Sequence, residues 1–305
     1  KNGDGINFKE SLTEQQYTDL CEFEGNANGF KIISENKAGI KGGLRLSYST
    51  LGAFTKYPRP SIISKKSSHV KDKKFGFFNS QNSFFDEVAN ELGMIDSNGS
   101  YMRHPLAFLV EAADDICYTL IDFEDGINLG WISEEYALEF LIRLVKDSID
   151  TKKYNSLKHK TDRVAYLRAL SVNTLINDTV KIFLKNEEKI LNGEFSKTLL
   201  SESVFKAQMK DIIDISVKKV YNSKEVIEKE LKGYQVIHKL LSVFIKATVN
   251  NQSDKTTALD DLVLASLPET YIHKDGNLYN QLLDVSCFVA SLTDGNALEW
   301  YNKIS

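Results

Sequence analysis

The stretch Arg103-His104-Pro105-Leu106-Ala107-Phe108-Leu109-Val110-Glu111-Ala112-Ala113-Asp114-Asp115-Ile116-Cys117-Tyr118-Thr119-Leu120-Ile121-Asp122 decides how this chain is read. Asp114, Tyr118 and Asp122 recur every four residues, and on a helix each such step turns only about 40° around the axis. The three share one face, with Glu111 one turn earlier. Leu109, Ala113, Ile116, Leu120 and Phe123 line the other, as on a helix packed against a core. An acidic face is ordinarily the solvated side of an amphipathic helix. Two features argue for more. No lysine or arginine relieves the repulsion among Glu111, Asp114, Asp115, Asp122, Glu124 and Asp125. Tyr118, inside the row, adds a broad apolar body and a hydroxyl that wants a partner. Such a cluster is where a cation or a polyhydroxyl ligand is expected.

The chain's 305 residues suffice for one large domain or two smaller ones. With 42% hydrophobic and 26% charged residues, it has the composition of a soluble globular protein. Only four prolines interrupt it (Pro58, Pro60, Pro105 and Pro268), and long stretches repeat at 3.6 residues, so the fold class expected is all-α. No apolar run reaches bilayer-spanning length, so no membrane association is expected. A net charge of −4 excludes general nucleic-acid binding and leaves nucleic acid at most a regulatory role. The positive charge is uneven: Lys65, Lys66, Lys71, Lys73 and Lys74 follow closely on Lys56 and Arg59. Lys65, Lys66 and Lys71 read as a solvated loop. Cys21, Cys117 and Cys287 are far apart, without a CxxC pair. Cys117 and Cys287 read as small core residues in a reducing, cytoplasmic setting. The opening, Lys1-Asn2-Gly3-Asp4-Gly5, reads as the interior of a longer protein.

After a loop at 1–6, a helix is expected over 12–35, capped by Ser11 or Thr13. Inside it, Phe23-Glu24-Gly25-Asn26-Ala27-Asn28-Gly29-Phe30 puts glycine and asparagine where a helix favours neither; this marks a helix break, a close backbone approach, or asparagine side chains that face a ligand. A turn at Ala38 to Gly43, helices over 47–56 and 80–92, and a helix from about Pro105 whose end is marked by Gly126 and Gly130 follow. Further helices are expected near 133–148, 162–192, 195–220, 223–250, 257–266 and 276–303. Ile212, Ile215, Val220, Val226, Leu231, Val236, Leu240 and Phe244 read as one bundle core. A domain division is placed at 1–130 and 131–305, with continuous packing as the alternative.

The five histidines, His69, His104, His159, His238 and His273, are isolated, so a zinc cluster is not expected. No G-x-S-x-G elbow, P-loop or GxGxxG fingerprint occurs. Carboxylates for a cation, together with Lys56, Tyr57 and Lys74 for phosphate oxygens, suggest a phosphorylated substrate held by a metal.

Four segments resemble the bacterial deoxyguanosinetriphosphate triphosphohydrolases of the HD-domain superfamily. They are Phe23–Asn28 (FEGNAN), Leu46–Pro60 ending in KYPRP, Arg103–Asp122, and Ser291–Leu298 (SLTDGNAL). Val220–Ser223 and Glu230–Tyr234 form a weaker fifth. The resemblance implies an HD-domain-like helical bundle. It implies cleavage of a deoxynucleoside triphosphate to deoxynucleoside and tripolyphosphate, a divalent metal (magnesium or manganese), and a homo-oligomer. It makes Asp114 a metal ligand and gives Tyr118 and Asp122 the deoxyribose. Asn26, Lys56, Tyr57 and Lys74 take the triphosphate. The family's other metal ligands, a His and a His-Asp pair, and its catalytic His and Glu all precede the FEGNAN-like segment. They are expected upstream of Lys1, so this stretch alone is expected to be inactive. Leu292 and Asn296 depart from the family's C-terminal pattern, and no arginine aligns with its base-reading arginines. Two other readings are a non-catalytic deoxynucleotide sensor and a helical interaction module.

Overall fold

The computed structural model describes residues 9–35, 44–63, 68–272 and 276–304. The loop at 1–6, the turn at Ala38 to Gly43, and Lys65, Lys66 and His273 lie outside them. Among the described residues there are fourteen α-helices and no strand. They are α1 (Glu14–Cys21), α2 (Gly25–Ser34), α3 (Tyr48–Phe54), α4 (Asn82–Glu91), α5 (Pro105–Asn128), α6 (Glu134–Val145), α7 (Thr151–Ser156), α8 (Lys160–Lys185), α9 (Glu187–Leu191), α10 (Lys206–Ser216), α11 (Lys224–Gln252), α12 (Ala258–Ala265), α13 (Leu278–Ser291) and α14 (Asp294–Ile304). The all-α expectation holds. Among the described residues, no helix is long and apolar enough to cross a membrane.

The chain divides into two compact units. One combines Lys1–Ser67, Lys71–Tyr101 and Glu230–Ser305; the other combines Ser68–Val70 and Met102–Lys229. The division does not fall at residue 130. The acidic-row helix and α6 belong to the same unit because α5 buries Ile116, Leu120, Phe123 and Ile127 against Ala137, Leu141 and Leu144 of α6. Val164 and Leu167 of α8 and Ile212 of α10 complete that core. Each fully buried aliphatic or aromatic side chain contributes about 1.5–3 kcal/mol by leaving water. The other unit has an aromatic core in which Phe30, Phe77 and Phe85 meet; the rings of Phe77 and Phe85 stack at 4.3 Å. A separate apolar group joins Val236, Leu240 and Phe244 of α11 to Val285 and Phe288 of α13.

Several boundaries differ from those predicted. The helix expected over 12–35 is two helices. Thr13 and Gln16 form a capping box on α1, and Glu24 caps α2 through Asn26 N–H, so the chain breaks immediately before Gly25. Close approach explains the second glycine: a Cβ on Gly29 would lie 2.8 Å from Phe54 Cζ. The stretch 276–303 divides after Ser291, and the helix expected from 195 starts only at Lys206. The short α7, capped by Asp150, was not anticipated. The apolar series of 212–244 is not one core: Ile212 and Val220 serve one unit, Val236, Leu240 and Phe244 the other, and Leu231 is 61% exposed. Cys287 is buried as expected, but Cys117 is exposed.

Candidate functional site

Helix α5 is set at both ends by local chemistry. Pro105 occupies its first turn, where a missing N–H costs nothing. His104 caps it, with Nδ1 accepting Leu106 N–H at 3.2 Å. Burial lowers the His104 pKa, which keeps the accepting imidazole neutral. At the other end Gly130 adopts φ +78°, the left-handed conformation that closes helices. The backbone N–H groups of Trp131 and Ile132 both return to Gly126 O, at 2.9 and 3.0 Å.

The acidic row does not survive intact as a surface stripe. Glu111 is buried and paired with buried Arg103 at 2.8 Å; Ala112 is buried beside it, while Ala113 of the expected apolar face is exposed. Glu124 pairs with Arg168 at 2.6 Å. The claim that no basic residue relieves the row is therefore corrected: two of its six carboxylates meet arginines that approach from outside the helix, invisible to i,i+4 counting. Of the other four, Asp115 and Asp125 are exposed and Asp114 and Asp122 half-buried, with Tyr118 65% exposed between Asp114 and Asp122.

Asp122 accepts a hydrogen bond from the Tyr221 hydroxyl. Burial, then the bond to Asp122, pushes the Tyr221 phenol up to about 12. Tyr221 ends a five-residue π-helical turn, Val217–Tyr221, that continues α10; π turns inside helices are frequent at functional sites. The turn can approach α5 because Gly126 lacks a side chain: a Cβ there would lie 2.6 Å from Val220 Cγ2. Tyr118 and Tyr221 both line an open cleft of about 480 Å³, with Ser216, Met209 and Ile213 in its wall.

The residues predicted for phosphate lie in the other unit. Glu24 joins two of them, accepting from Asn26 Nδ2 at 2.7 Å and pairing with Lys74 Nζ at 3.4 Å. Lys56 is half-buried and Tyr57 is buried. The Lys74–Gly76 strand of backbone runs against Tyr57. Gly76 N–H donates to Arg59 O at 3.1 Å, and a Cβ on Gly76 would lie 2.2 Å from Tyr57 O. The Glu24 side chain thus links Asn26 to Lys74, and the backbone two residues beyond Lys74 meets that of Tyr57. Lys71, read as solvated, instead donates to Tyr101 O at 2.8 Å. Sequence reasoning missed Glu24, although an acidic residue before a glycine at a helix start is a capping signal. It also gave no role to Tyr221, whose only signal was the Val220–Ser223 segment.

No family model matches the chain. Curated relatives do. A deoxyguanosinetriphosphate triphosphohydrolase-like protein of Synechocystis is 33% identical over 94% of this chain and 66% of its own length. One of Listeria monocytogenes is 30% identical over 97% of this chain and 68% of its own. A deoxyguanosinetriphosphate triphosphohydrolase of Cronobacter sakazakii is 25% identical over 94% and 64%. This chain belongs to the deoxyguanosinetriphosphate triphosphohydrolase-like family, and spans about two thirds of the length of these relatives.

Proposed function

We propose that the protein of which this chain is part hydrolyses deoxynucleoside triphosphates, dGTP among them, to deoxynucleoside and tripolyphosphate. The observation that carries this reading is the outer face of α5 in a chain with such relatives. An exposed phenol, Tyr118, lies one turn from Asp122, a carboxylate already oriented by the Tyr221 hydroxyl, at the edge of an open cleft. Asp122 accepts a hydrogen bond from the sugar 3′-hydroxyl, and the Tyr118 ring packs on the deoxyribose. Lys56 and Lys74 offset charge on the phosphate oxygens, with Asn26 and Tyr57 as their neutral partners. Lys74 must exchange Glu24 for phosphate; a pair this exposed is worth about 0–1 kcal/mol, so the exchange costs little. Water attacks the α-phosphorus, the bond to the sugar 5′-oxygen breaks, and that oxygen departs with its electron pair and takes up a proton.

The reading includes a divalent metal, magnesium or manganese, with Asp114 as one ligand. Among the described residues no group of three or more His, Cys, Asp or Glu side chains converges to hold a metal. These residues therefore do not make up a metal site. A cytoplasmic homo-oligomer is part of the same proposal.

The test is a panel of the four dNTPs assayed on the full-length protein with Mg²⁺ and with Mn²⁺, scoring tripolyphosphate release. The wild type is expected to turn over at least one dNTP, and Asp122→Ala to lose most of that activity. Binding without turnover would favour a sensor. Neither turnover nor thermal stabilisation by any dNTP with either metal would refute the proposal.

A further inference from the structure

Asp19 of α1 is wholly buried, and leaving water is costly for a carboxylate. Its Oδ2 accepts Asn79 N–H at 2.7 Å and the Tyr279 hydroxyl of α13 at 2.6 Å. Ser61 Oγ, which donates to Gln15 O at 3.4 Å, interacts with the same carboxylate. Burial nevertheless raises the Asp19 pKa above the ordinary carboxylate value, so these donors do not fully replace the lost water. Well-packed apolar side chains often serve stability as well as buried charges do. Stability alone therefore gives little reason for a carboxylate here.

What Asp19 joins is two stems of backbone. Residues 57–59 are all buried, as are residues 75–78. Midway, Gly76 N–H of the second stem donates to Arg59 O of the first at 3.1 Å. Phe75 and Phe78 pack with Ala27 of α2 and Tyr279 of α13. Lys56 precedes the first stem and Lys74 the second; Ser61 and Asn79, beyond their far ends, meet at Asp19. A shift of either stem against the other breaks a contact with the carboxylate. We propose that Asp19 is a positioning residue for the triphosphate: by pinning the far ends of both stems it fixes the spacing of Lys56 and Lys74, and it touches no substrate atom itself. The inference rests on the dNTP reading above, which gives those two lysines their phosphate oxygens.

The test uses the full-length protein and calorimetric affinities for the four dNTPs, for deoxyguanosine and deoxyadenosine, and for inorganic tripolyphosphate. Asp19→Ala is expected to weaken tripolyphosphate and all four dNTPs about 5- to 30-fold while leaving the deoxynucleosides at wild-type affinity. Asp19→Asn keeps an acceptor oxygen for Asn79 N–H and should restore most of that loss. Ser61→Ala frees one stem only and should weaken the same ligands about 2- to 5-fold; it decides the matter if Asp19→Ala does not fold. Val263→Ala opens a cavity in a separate apolar group of the same unit. It should lower the melting temperature without changing any affinity, which separates positioning from lost stability. Wild-type tripolyphosphate affinity in Ser61→Ala and in any folded Asp19→Ala would overturn the inference and leave the dNTP reading standing. So would equal losses for deoxynucleosides and tripolyphosphate, or the same losses in Val263→Ala. Absence of dNTP binding by the wild type would overturn both.

Discussion

Arg103→Met is expected to be among the most damaging single changes outside the cleft. The Arg103 side chain is 1% exposed and that of Glu111 7%, with Nη1 and Oε2 2.8 Å apart. The guanidinium also sits 4.6 Å from the Phe108 ring centre. Around them Phe108 and Ala112 pack with Ile190, Phe195 and Leu199. Methionine preserves much of the stem's packing but leaves the Glu111 carboxylate buried without its counter-ion. Removing one partner of a buried pair costs about 3–5 kcal/mol. Glu111→Leu strands the guanidinium and should cost a similar amount. The double variant removes both charges and fills the space with apolar atoms, an exchange that is often neutral, so it should lie within about 1 kcal/mol of wild type. The pair therefore predicts a strongly non-additive cycle, with coupling above about 2 kcal/mol. Urea midpoints, followed by circular dichroism at matched m-values, measure it. Single variants within about 1 kcal/mol of wild type, or a double variant as unstable as the sum of the two, would refute the reasoning.

Gly126→Ala gains about 1 kcal/mol of helix propensity but drives a methyl to 2.6 Å from Val220 Cγ2 and 2.8 Å from Ile132 Cδ1. Overpacking of this kind costs about 1–3 kcal/mol; net destabilisation in urea, partly rescued by adding Val220→Ala, is expected. The neutral His104 cap predicts a pH effect of definite sign. Its pKa is lowered in the fold, so its stabilisation is complete above the ordinary value of 6.5 and is lost as pH falls below it and the imidazole protonates. Thermal midpoints between pH 5 and 8 should show this loss in the wild type, and His104→Asn, which caps without titrating, should flatten it. Tyr221 has the opposite dependence. Its phenol is raised from 10.0 to about 12, so the fold loses stability as pH climbs from 10 toward 12. Tyr221→Phe should abolish that component and remove one late-titrating phenol from an ultraviolet absorbance titration.

The all-α class, the Pro105 start and the Gly130 end of α5 were readable because they depend on local rules: periodicity, a proline in the first turn, a glycine past the last. The core-facing positions Ile116, Leu120 and Phe123 followed from the same periodicity. What local rules could not supply is the company each residue keeps. Arg103 lies eight residues from Glu111 and Arg168 forty-four from Glu124, beyond any helical-pair pattern, so an acidic row looked uncompensated when two of its members were paired. The outer members, Asp114, Tyr118 and Asp122, do share a face. Glu24 became the common partner of Asn26 and Lys74 through a separation of fifty residues that no spacing rule addresses. The 212–244 series was misread as one core because regular spacing says which residues are inward, not which interior they enter. Residues 102–229 group together because α5, α6, α8 and α10 bury one another; no linker composition announces that.

The π turn carries one residue more than an α-helix would need over the same span. Lys218 and Lys219 within it are exposed and hold no part of the core. Shortening the segment by either lysine would leave every buried side chain in the composition and would favour a smoother helix. It would also rotate Tyr221 by about 100° away from Asp122. The chain's tolerance here is thus to spelling and not to length: substitutions at 218 and 219 should pass unnoticed, while a single-codon deletion should uncouple α10 from the face of α5.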